Sequence, residues 1–480
     1  MMKSRKDEYT KHALLWACCI LFLNLLSKAI FYTKAPFTLD ESFTFYHAKF
    51  SVHEIIIELI KGNNPPLYEI FMHFWTQVFG NAIWAVRLPS LLFTSAFAAF
   101  WYLIIRKVES HKSALFVSLI FSFLQAQWLF SQEMRAYAMA FFLITASVFV
   151  LAYSWRYNIQ VLLSALILAL AVYTHYFSIF ALPLTYWFII KHTPVKNAIR
   201  AMSIFSIVFA VLMCPVLLIV AARIFDSENV LWGVKPDWKQ LYGQFNIAFN
   251  YRLWYALALV LLGFVFNDIR RSLRLQKLYP EKWRWDVFFL FVYVGIYILL
   301  FIVSQFRPVF IAKYLSFVFL GIIPLACILL GKVFTKSNKG IYFLVAIFAV
   351  FISGLKWVSN AEYNPKQVVN AIDEYLVGNP EGTIFVYPNW YQYSIAYHKG
   401  YYNLTPLEIR GKLARESIYC LENGFEIKEI VQESQSILYI DAGEEFLNGN
   451  HALRDQLLEK GNLLKHEQID NQVQTWYFGN

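Results

Sequence analysis

Acidic residues stand beside long apolar stretches, where a carboxylate can take part in chemistry at a membrane surface. Asp40 and Glu41 follow the first such stretch, and Glu133 lies in a short turn between two others. A carboxylate there needs water, a cation or a substrate, because burial in lipid without a partner is costly. Asp40 is therefore a general base, a cation ligand or a solvated side chain. Glu133 is either a site residue or half of a structural ion pair with Arg135.

Basic residues form a second candidate set, because Arg87, Arg307 and Lys313 also lie at the ends of apolar stretches. Such cations can hold a phosphate as point charges or through the guanidinium fork. The alternative for each is that its side chain extends to the lipid headgroups. That alternative is weaker for the set than for any one residue, so we treat them as candidate phosphate-binding residues.

Two histidines are less specific signals. His175 interrupts a long apolar stretch, where a hydrogen-bonded structural role competes with a role in binding. Glu69 and His73 are four residues apart on a predicted helix and are candidates for a shared metal ion, although two ligands do not form a site. The five cysteines show no spacing typical of zinc sites or of a disulfide framework.

The elements that position these residues are predicted membrane helices. The chain has 480 residues, of which 58% are hydrophobic and only 15% charged, against about 25% charged in soluble domains. The apolar residues cluster into stretches close to the ~20 residues that cross a bilayer as a helix. We predict eleven spans: Leu14 to Phe31, Trp84 to Ile105, Ser113 to Phe130, Met134 to Tyr153, two within Ile159 to Ile190, Ala201 to Ala222, Ile247 to Phe266, Val287 to Val303, Ala312 to Leu330 and Ile341 to Leu355.

The distribution of positive charge predicts the orientation. Basic residues concentrate in alternate loops, at Lys3 to Lys11, Arg106 to Lys112, Lys191 to Arg200, Arg270 to Arg284 and Lys332 to Lys339. This pattern is typical of cytoplasmic loops. It predicts a protein of the inner (plasma) membrane with a cytoplasmic N-terminus and all the candidate site residues on the outer, periplasmic side. The net charge of +10 therefore reflects topology, and we expect no nucleic-acid partner.

Composition also predicts two domains. Residues 1–358 form the membrane domain, with an outer segment at 34–83 that contains short helices and a second outer loop from Arg223 to Asn246. From residue 359 the sequence turns polar, and apolar alternation predicts helices and strands in turn. Residues 359–480 are thus a small α/β domain, which the topology places outside the membrane.

The motifs resemble those of a known family. The acidic pair Asp40-Glu41, the sequence Asn64-Pro65-Pro66-Leu67-Tyr68 and the sequence Arg87-Leu88-Pro89-Ser90 are similar to motifs of GT-C membrane glycosyltransferases. Glu133-Met134-Arg135-Ala136-Tyr137 and Ala312-Lys313-Tyr314-Leu315 resemble two more. The family indicated is that of the dolichyl-phosphate-mannose-protein mannosyltransferases, with bacterial relatives that include the aminoarabinose transferases.

This resemblance implies a function and roles for residues. The donor would be a sugar linked to polyprenyl phosphate, and the acceptor a lipid, glycan or protein at the outer face. Asp40 would be the catalytic base with Glu41 beside it, Glu133 and Arg135 would line the cavity, and Arg87 would support it. Tyr137 and His175 complete the predicted substrate-binding set. Lys313 replaces the arginine of many relatives, and Asn64 replaces a histidine of several.

Other functions remain open at this stage. A transporter or flippase of lipid-linked substrates would place polar groups near mid-bilayer, often in related halves. An oligosaccharide ligase or polymerase would use a pyrophosphate-linked donor, and a structural module would have a degenerate cavity. Because the polar residues cluster on one side, we expect an enzyme. We expect no obligatory cofactor, with a divalent cation as the alternative.

Overall fold

The computed structural model of the protein describes residues 2–62, 64–153, 157–193, 195–224, 235–253, 255–257, 259–260, 281–334, 338–358, 365–421, 436–442, 452–460, 462–469 and 473–479. In this part the chain is mostly helical, with one small sheet near the C-terminus. Several predicted features lie wholly or partly outside it: the outer loop at 223–246, the eighth span at 247–266, the basic loops at 191–200, 270–284 and 332–339, and the domain boundary at 358–359.

The membrane domain consists of helices that are long or apolar. They are α1 (Met2–Ala29), α5 (Ile83–Val108), α6 (His111–Ser122), α7 (Gln125–Phe130), α8 (Ala136–Tyr153), α9 (Tyr157–Thr174), α10 (Leu182–His192), α11 (Val195–Ile224), α12 (Trp238–Ala248), α13 (Glu281–Val303), α14 (Ala312–Phe334) and α15 (Asn338–Ser353). Among the described residues, α1, α5, α8, α11, α13 and α14 are long and apolar enough to cross a membrane, and three further apolar helices are shorter. The polytopic fold is confirmed, and the number of eleven spans stays a prediction.

One predicted span, Ser113 to Phe130, forms two helices, α6 and α7, with a break at Phe123 and Leu124. Asn250 provides the physical reason. Its Oδ1 accepts a hydrogen bond from Gln125 N at 2.9 Å, and its Nδ2 donates to Phe123 O at 2.8 Å. The side-chain amide thereby satisfies backbone groups that a broken helix would leave without partners. Asn250 lies 125 residues beyond Gln125, so no local pattern could predict this break.

The long stretch from Ile159 to Ile190 divides at His175, as the sequence predicts. Helix α9 ends at Thr174, and a 3-10 turn at Tyr176–Ala181 leads into α10. The Nδ1 of His175 accepts a hydrogen bond from Phe177 N at 3.3 Å and so caps the turn. Proline in the first turn of α10 suits a helix start, where its missing N–H removes no intrahelical bond.

The outer segment between α1 and α5 contains three short helices, α2 (Leu39–His47), α3 (Val52–Lys61) and α4 (Leu67–Phe79). Capping boxes start the first two: Thr38 and Glu41 bond reciprocally in α2, and Ser51 and Glu54 do so in α3. Helix α4 begins directly after Pro66, as the proline pair predicts. These caps set where each helix begins and therefore which residues occupy its first turn.

The apolar residues of helix α4 recur at helical spacing, which predicts that its apolar face lies in lipid, and the structure differs from this in part. Phe74 and Val78 are exposed and suit that arrangement. Tyr68 and Met72, however, are buried against protein, and Trp75 Nε1 donates to Ala85 O on α5 at 2.9 Å. The helix is therefore packed onto the outer end of the membrane domain rather than resting on the bilayer alone.

The C-terminal region forms the predicted α/β domain. Its helices are α16 (Pro365–Gly378), α17 (Tyr391–His398), α18 (Pro406–Ala414) and α19 (Ala452–Lys460), and its strands are β1 (Thr383–Tyr387), β2 (Ile418–Cys420), β3 (Ser436–Asp441), β4 (Asn462–Gln468) and β5 (Gln474–Gly479). The sheet order is β2-β1-β3-β5-β4, with β1 parallel to β2 and β3, and β5 antiparallel to β3 and β4. The sequence did not predict β2, which has three residues, or β4, whose residues are all exposed and do not alternate.

An apolar core joins this domain to the outer segment. Phe37, Tyr46 and Met134 from the membrane domain lie in the same buried cluster as Ile395 of α17 and Ile440 of β3. Burial of such side chains is the main favourable term in packing two elements together. The outer segment is consequently held between the membrane helices and the C-terminal domain.

The contact between α13 and α14 yields a test of this packing. A Cβ at Gly321 of α14 would overlap the ring of Tyr293, whereas a Cβ at Gly295 of α13 meets no atom within 4 Å. Tyr293 cannot move freely, since its Oη accepts from Leu184 N at 3.0 Å and donates to Phe180 O at 2.9 Å. We expect Gly321→Ala to lower the thermal unfolding midpoint in detergent by several degrees, because small residues permit such close helix approach. Gly295→Ala is the matched control, and equal midpoints for the two variants would contradict the packing described.

Candidate active site

Asp40 lies at the centre of the candidate site. It is the second residue of α2, and its side chain is 50% exposed. Its Oδ2 lies 3.6 Å from Lys313 Nζ and 3.9 Å from Arg135 Nε. Desolvation opposes the charged form, but these two cations outweigh it and hold the pKa of Asp40 below its ordinary value. Asp40 is thus an ionised, accessible carboxylate between two cations.

Glu41 occupies a different environment from its neighbour. It is fully buried and forms a bidentate ion pair with Arg87, with both N–O distances at 2.7 Å. Its Oε2 also accepts from Thr38 N at 2.9 Å, and its Oε1 accepts from Met134 N at 2.8 Å. Both oxygens are therefore saturated by protein donors, and Glu41 serves to position the elements around it.

Arg87 is equally enclosed at the outer end of α5. Beyond Glu41, its guanidinium donates to the carbonyls of Tyr32, Ala35 and Pro36 at 2.9–3.2 Å. These carbonyls belong to the chain that connects α1 to α2. The guanidinium is fully buried and shielded from substrate, which is the geometry of a supporting residue rather than of the phosphate-binding residue that the sequence also suggests.

Glu133 and Lys313 form the second half of the charged cluster. Lys313 Nζ donates to Glu133 Oε2 at 3.2 Å, and the lysine side chain is 36% exposed whereas Glu133 is buried. Ser90 on α5 fixes the backbone by donating to Glu133 O at 2.6 Å. Desolvation, with the carboxylates of Glu41 and Asp40 nearby, raises the pKa of Glu133 despite the attraction of Lys313.

Arg135 connects this turn to α2. Its Nη1 donates to Asp40 O at 3.2 Å and to Thr44 Oγ1 at 2.9 Å. Thr44 was not among the predicted site residues, although its position four residues after Asp40 places both on one face of α2. The nearby negative groups, Asp40 foremost among them, raise the pKa of Arg135 in spite of burial, so its charge is permanent.

Aromatic rings form a wall beside the cluster. Lys313 Nζ lies 5.7 Å from the ring centroid of Tyr137, within cation–π range. The ring of His175 lies 5.0 Å from that of Tyr137 and stacks on Phe317 at 4.7 Å. Burial, aided by Arg135, lowers the pKa of His175 to about 3, so this histidine is neutral at physiological pH. Tyr137 and His175 therefore adjoin the charged residues together with Phe317, and their role in substrate binding stays a prediction.

Arg307 lies six residues before Lys313 in the sequence. It is exposed in the turn between α13 and α14, whereas the ion pairs of Asp40 within the described residues are with Arg135 and Lys313. The sequence alone does not show which of Arg307 and Lys313 pairs with Asp40, because both are basic residues near the start of α14.

The two metal candidates on α4 do not converge. Glu69 is buried and accepts from Thr44 Oγ1 at 3.4 Å, whereas His73 contacts Ala48 O at 3.0 Å and Gln77 Nε2 at 2.8 Å. Among the described residues, no group of three His, Cys, Asp or Glu side chains is placed to hold a metal ion. Glu69 instead adjoins the charged cluster through its hydrogen bond from Thr44 and its attraction to Arg135.

The fold was compared with those of solved structures. The crystal structure of ArnT from Cupriavidus metallidurans in the apo state is similar over 98% of this chain and 98% of that chain, with a TM-score of 0.50 and 10% identity. The arabinofuranosyltransferase AftD from Mycobacteria (TM-score 0.48, 11% identity) and an oligosaccharyltransferase from Archaeoglobus fulgidus (0.45, 12%) match 97% and 96% of this chain, but 40% and 73% of their own. These last two TM-scores are below 0.5, and the fold is therefore assigned from the similarity to ArnT.

The chain has the fold of this ArnT structure, and its motifs resemble those of the GT-C membrane glycosyltransferases. More particularly, residues 63–219 match the family model of the dolichyl-phosphate-mannose-protein mannosyltransferases. This segment includes Arg87, Glu133 and Arg135, and the resemblance seen in the motifs is confirmed. No curated protein matches the chain in sequence.

The buried pair of Glu41 and Arg87 leads to a stability prediction. We expect Glu41→Gln to destabilise the protein by about 3–5 kcal/mol, because it leaves a buried guanidinium without its counter-charge. The matched control is Glu54→Gln, which changes the same capping-box position in α3, where the glutamate is exposed and paired with Ser51. Thermal unfolding in detergent measures both. A midpoint for Glu41→Gln as high as that for Glu54→Gln would show that the pair does not support the fold.

Glu69 predicts a dependence of stability on pH. Desolvation raises its pKa from 4.5 to about 7, against the opposing effects of Arg135 and Thr44. The folded state then holds a proton that the unfolded state releases, so stability contributed by Glu69 is full below about pH 4.5 and is lost as pH rises through about 7. We expect the midpoint of Glu69→Gln to rise relative to wild type between pH 5 and 8. Glu381→Gln, at an exposed position, is the control, and a constant difference across this range would contradict the prediction.

Proposed function

We propose that the protein is an integral-membrane glycosyltransferase that moves a sugar from a polyprenyl-phosphate-linked donor to an acceptor on the outer, periplasmic side of the membrane. The observation that carries the proposal is the placement of Asp40. It is an accessible carboxylate flanked by Lys313 and Arg135 at the end of apolar helices. A sugar phosphate needs both kinds of group, a base for the acceptor and cations for the departing phosphate.

The distances favour an exchange of partners when the donor binds. Direct hydrogen bonds between an ammonium or guanidinium and a carboxylate measure about 2.7–2.9 Å, and Asp40 lies at 3.6 and 3.9 Å from its two cations. These ion pairs are loose, so a phosphate oxygen can replace Asp40 as the partner of Lys313 and Arg135. Each cation keeps one protein partner during this exchange, Glu133 for the lysine and Thr44 for the arginine.

The same exchange activates the base. With both cations beside it, Asp40 is ionised but weakly basic, because its pKa is lowered. When the cations bind the phosphate, this lowering is removed and the carboxylate becomes a better proton acceptor. Binding of the donor phosphate therefore also raises the pKa of Asp40 and makes it a stronger base.

The transfer step is a single displacement. An Oδ of Asp40 takes the proton of an acceptor hydroxyl as the acceptor oxygen forms a bond to the anomeric carbon. The bond between that carbon and the phosphate oxygen breaks, and polyprenyl phosphate leaves with the electron pair, its negative charge stabilised by Lys313 and Arg135. Attack from the face opposite the leaving group inverts the anomeric configuration.

The remaining residues support these groups. Glu133 holds Lys313, and the pair of Glu41 and Arg87 holds the start of α2, which carries Asp40. The neutral ring of His175 and the ring of Tyr137 provide an apolar wall that suits a sugar face or the first isoprenyl units. The donor's hydrocarbon chain would lie in the bilayer, which is therefore a partner together with the acceptor lipid, glycan or protein.

The test uses purified full-length protein and synthetic polyprenyl-phosphate hexoses and pentoses with a labelled sugar. We expect Asp40→Asn to reduce sugar transfer or donor hydrolysis by about 10²–10⁴-fold, the contribution typical of a general base. Donor binding should be equal or tighter, since the neutral amide no longer competes with the phosphate for Lys313 and Arg135. Asp455→Asn, at an exposed acid on α19, is the matched control.

The outcomes separate the alternatives. Full transfer by Asp40→Asn would remove this residue from the role of base. Turnover of a pyrophosphate-linked oligosaccharide in place of the monophosphate donors would favour a ligase or polymerase. Folded wild-type protein that neither binds nor turns over any of these donors would favour a transporter or flippase.

A further inference from the structure

Helix α17 of the C-terminal domain packs directly on the segment that carries Asp40. The rings of Phe37 and Tyr397 are stacked, with centroids 3.8 Å apart and planes within 9° of parallel. Phe45 of α2 contacts Tyr397 edge-on at 5.3 Å. All three rings are buried, and such contacts add to the free energy of burial. Tyr397 therefore packs on Phe37, which precedes Asp40 in the sequence, and on Phe45, which follows it.

Polar contacts reinforce this packing at the C-terminal end of α2. Tyr46 Oη donates to Tyr401 O at 3.2 Å, and the Tyr46 ring lies 5.9 Å from that of Tyr393. Lys49, just beyond the helix, donates through Nζ to Tyr402 O. The acceptors are backbone carbonyls of the loop that follows α17, so the contact depends on the folded C-terminal domain.

Helix α17 is itself anchored in that domain. Ile395 and Ala396 are completely buried with Ile384 of β1 and Leu438 of β3. Lys399, at the end of the helix, forms an ion pair with Asp373 of α16 at 2.8 Å. The position of Tyr397 is therefore fixed by the packing of α17 against the sheet and by its ion pair with α16.

The chain shortly before the C-terminal domain is itself hydrogen-bonded to residues next to the site. Trp357 O, shortly before the C-terminal domain, accepts from Trp128 Nε1 and Gln132 Nε2, both at 2.7 Å. Lys356 N donates to Gln125 Oε1 at 2.7 Å, and Gln125 Nε2 donates back to Lys356 O at 3.1 Å. Gln132 directly precedes Glu133, which pairs with Lys313. The hydrogen bond to Trp357 O therefore helps to fix the turn that contacts both Lys313 and, through Met134 N, the start of α2.

Helix α2 needs external support, because it has only nine residues and helices shorter than about 12 residues are marginal on their own. On its inner side the pair of Glu41 and Arg87 provides that support, and Tyr397 and Tyr401 lie on its outer side. Catalytic groups must be held within about 0.5 Å of their productive geometry. A displacement of about 1 Å can cost 10²-fold in rate.

We infer that the C-terminal α/β domain is a positioning element of the active site, which clamps α2 through Tyr397 and so holds Asp40 opposite Lys313 and Arg135. The inference rests on the proposed function for its effect on turnover. The clamp itself is independent of any substrate. Tyr397 is a positioning residue, since it touches α2 and its preceding segment rather than the reacting groups.

Hydrogen exchange measured by mass spectrometry on the full-length protein in detergent tests the clamp without a substrate. We expect Tyr397→Leu to speed amide exchange in residues 39–47 on the order of tenfold, since protection reports local opening. Strands β1 and β3 should remain protected. Tyr397→Phe keeps the stacked ring and should restore protection, and Leu407→Ala, at an exposed residue of the same domain, is the matched control. If Tyr397→Leu also exposes β1 and β3, then Phe37→Leu makes the same test from the membrane side.

Turnover of labelled polyprenyl-phosphate sugars tests the consequence. We expect Tyr397→Leu to lower kcat about tenfold to a hundredfold at an unchanged KM for the donor, with recovery in Tyr397→Phe. Unchanged exchange in residues 39–47 of both Tyr397→Leu and Phe37→Leu would overturn the clamp. Faster exchange with unchanged kcat would overturn its role in positioning. Failure of the proposed function would instead appear as absence of turnover in the wild type, with the exchange result intact.

Discussion

The buried ion pair between Glu41 and Arg87 is the interaction on which the candidate site of this protein depends. It joins the end of α5, the chain that leaves α1, the first turn of α2 and the backbone of Met134. A buried charge pair of this kind is stable only when every remaining hydrogen-bonding position is filled, and here each is filled by backbone. Because Glu41 faces inward, the adjacent Asp40 is rotated by about 100° around α2, and its side chain is accessible.

Near this ion pair the site contains equal numbers of acidic and basic side chains. Asp40 and Glu133 face Lys313 and Arg135, so the cluster is close to neutral before a substrate arrives. Electrostatic interactions are stronger in such a partly buried place than in water. The two contacts of Asp40 are longer than direct hydrogen bonds, so under the proposed function an anionic phosphate would bind by redistributing these ion pairs.

The C-terminal domain completes this arrangement rather than standing apart from it. The aromatic contacts of Tyr397 attach the domain to the segment that carries Asp40. The hydrogen bonds to Trp357 O hold the chain shortly before the domain against α7 and Gln132. A membrane helix bundle can place residues at its outer end, but short helices there have little lateral support of their own. A packed α/β domain supplies that support through a shared apolar core.

The sequence by itself determined the membrane character, the division at His175 and the α/β character of the C-terminal region. It also determined helices α3 and α4 of the outer segment, though not α2, and the short set of charged residues. These features follow from local periodicity, capping and recognisable motifs. Only the tertiary structure decided their roles. Glu41 and Asp40 are neighbours of the same chemical type, yet one is saturated by Arg87 and the other is open. The break between α6 and α7 and the support from Tyr397 likewise depend on partners more than a hundred residues away. Such partners meet only when the chain folds, because burial and hydrogen-bond saturation are properties of the packed molecule and not of any local stretch.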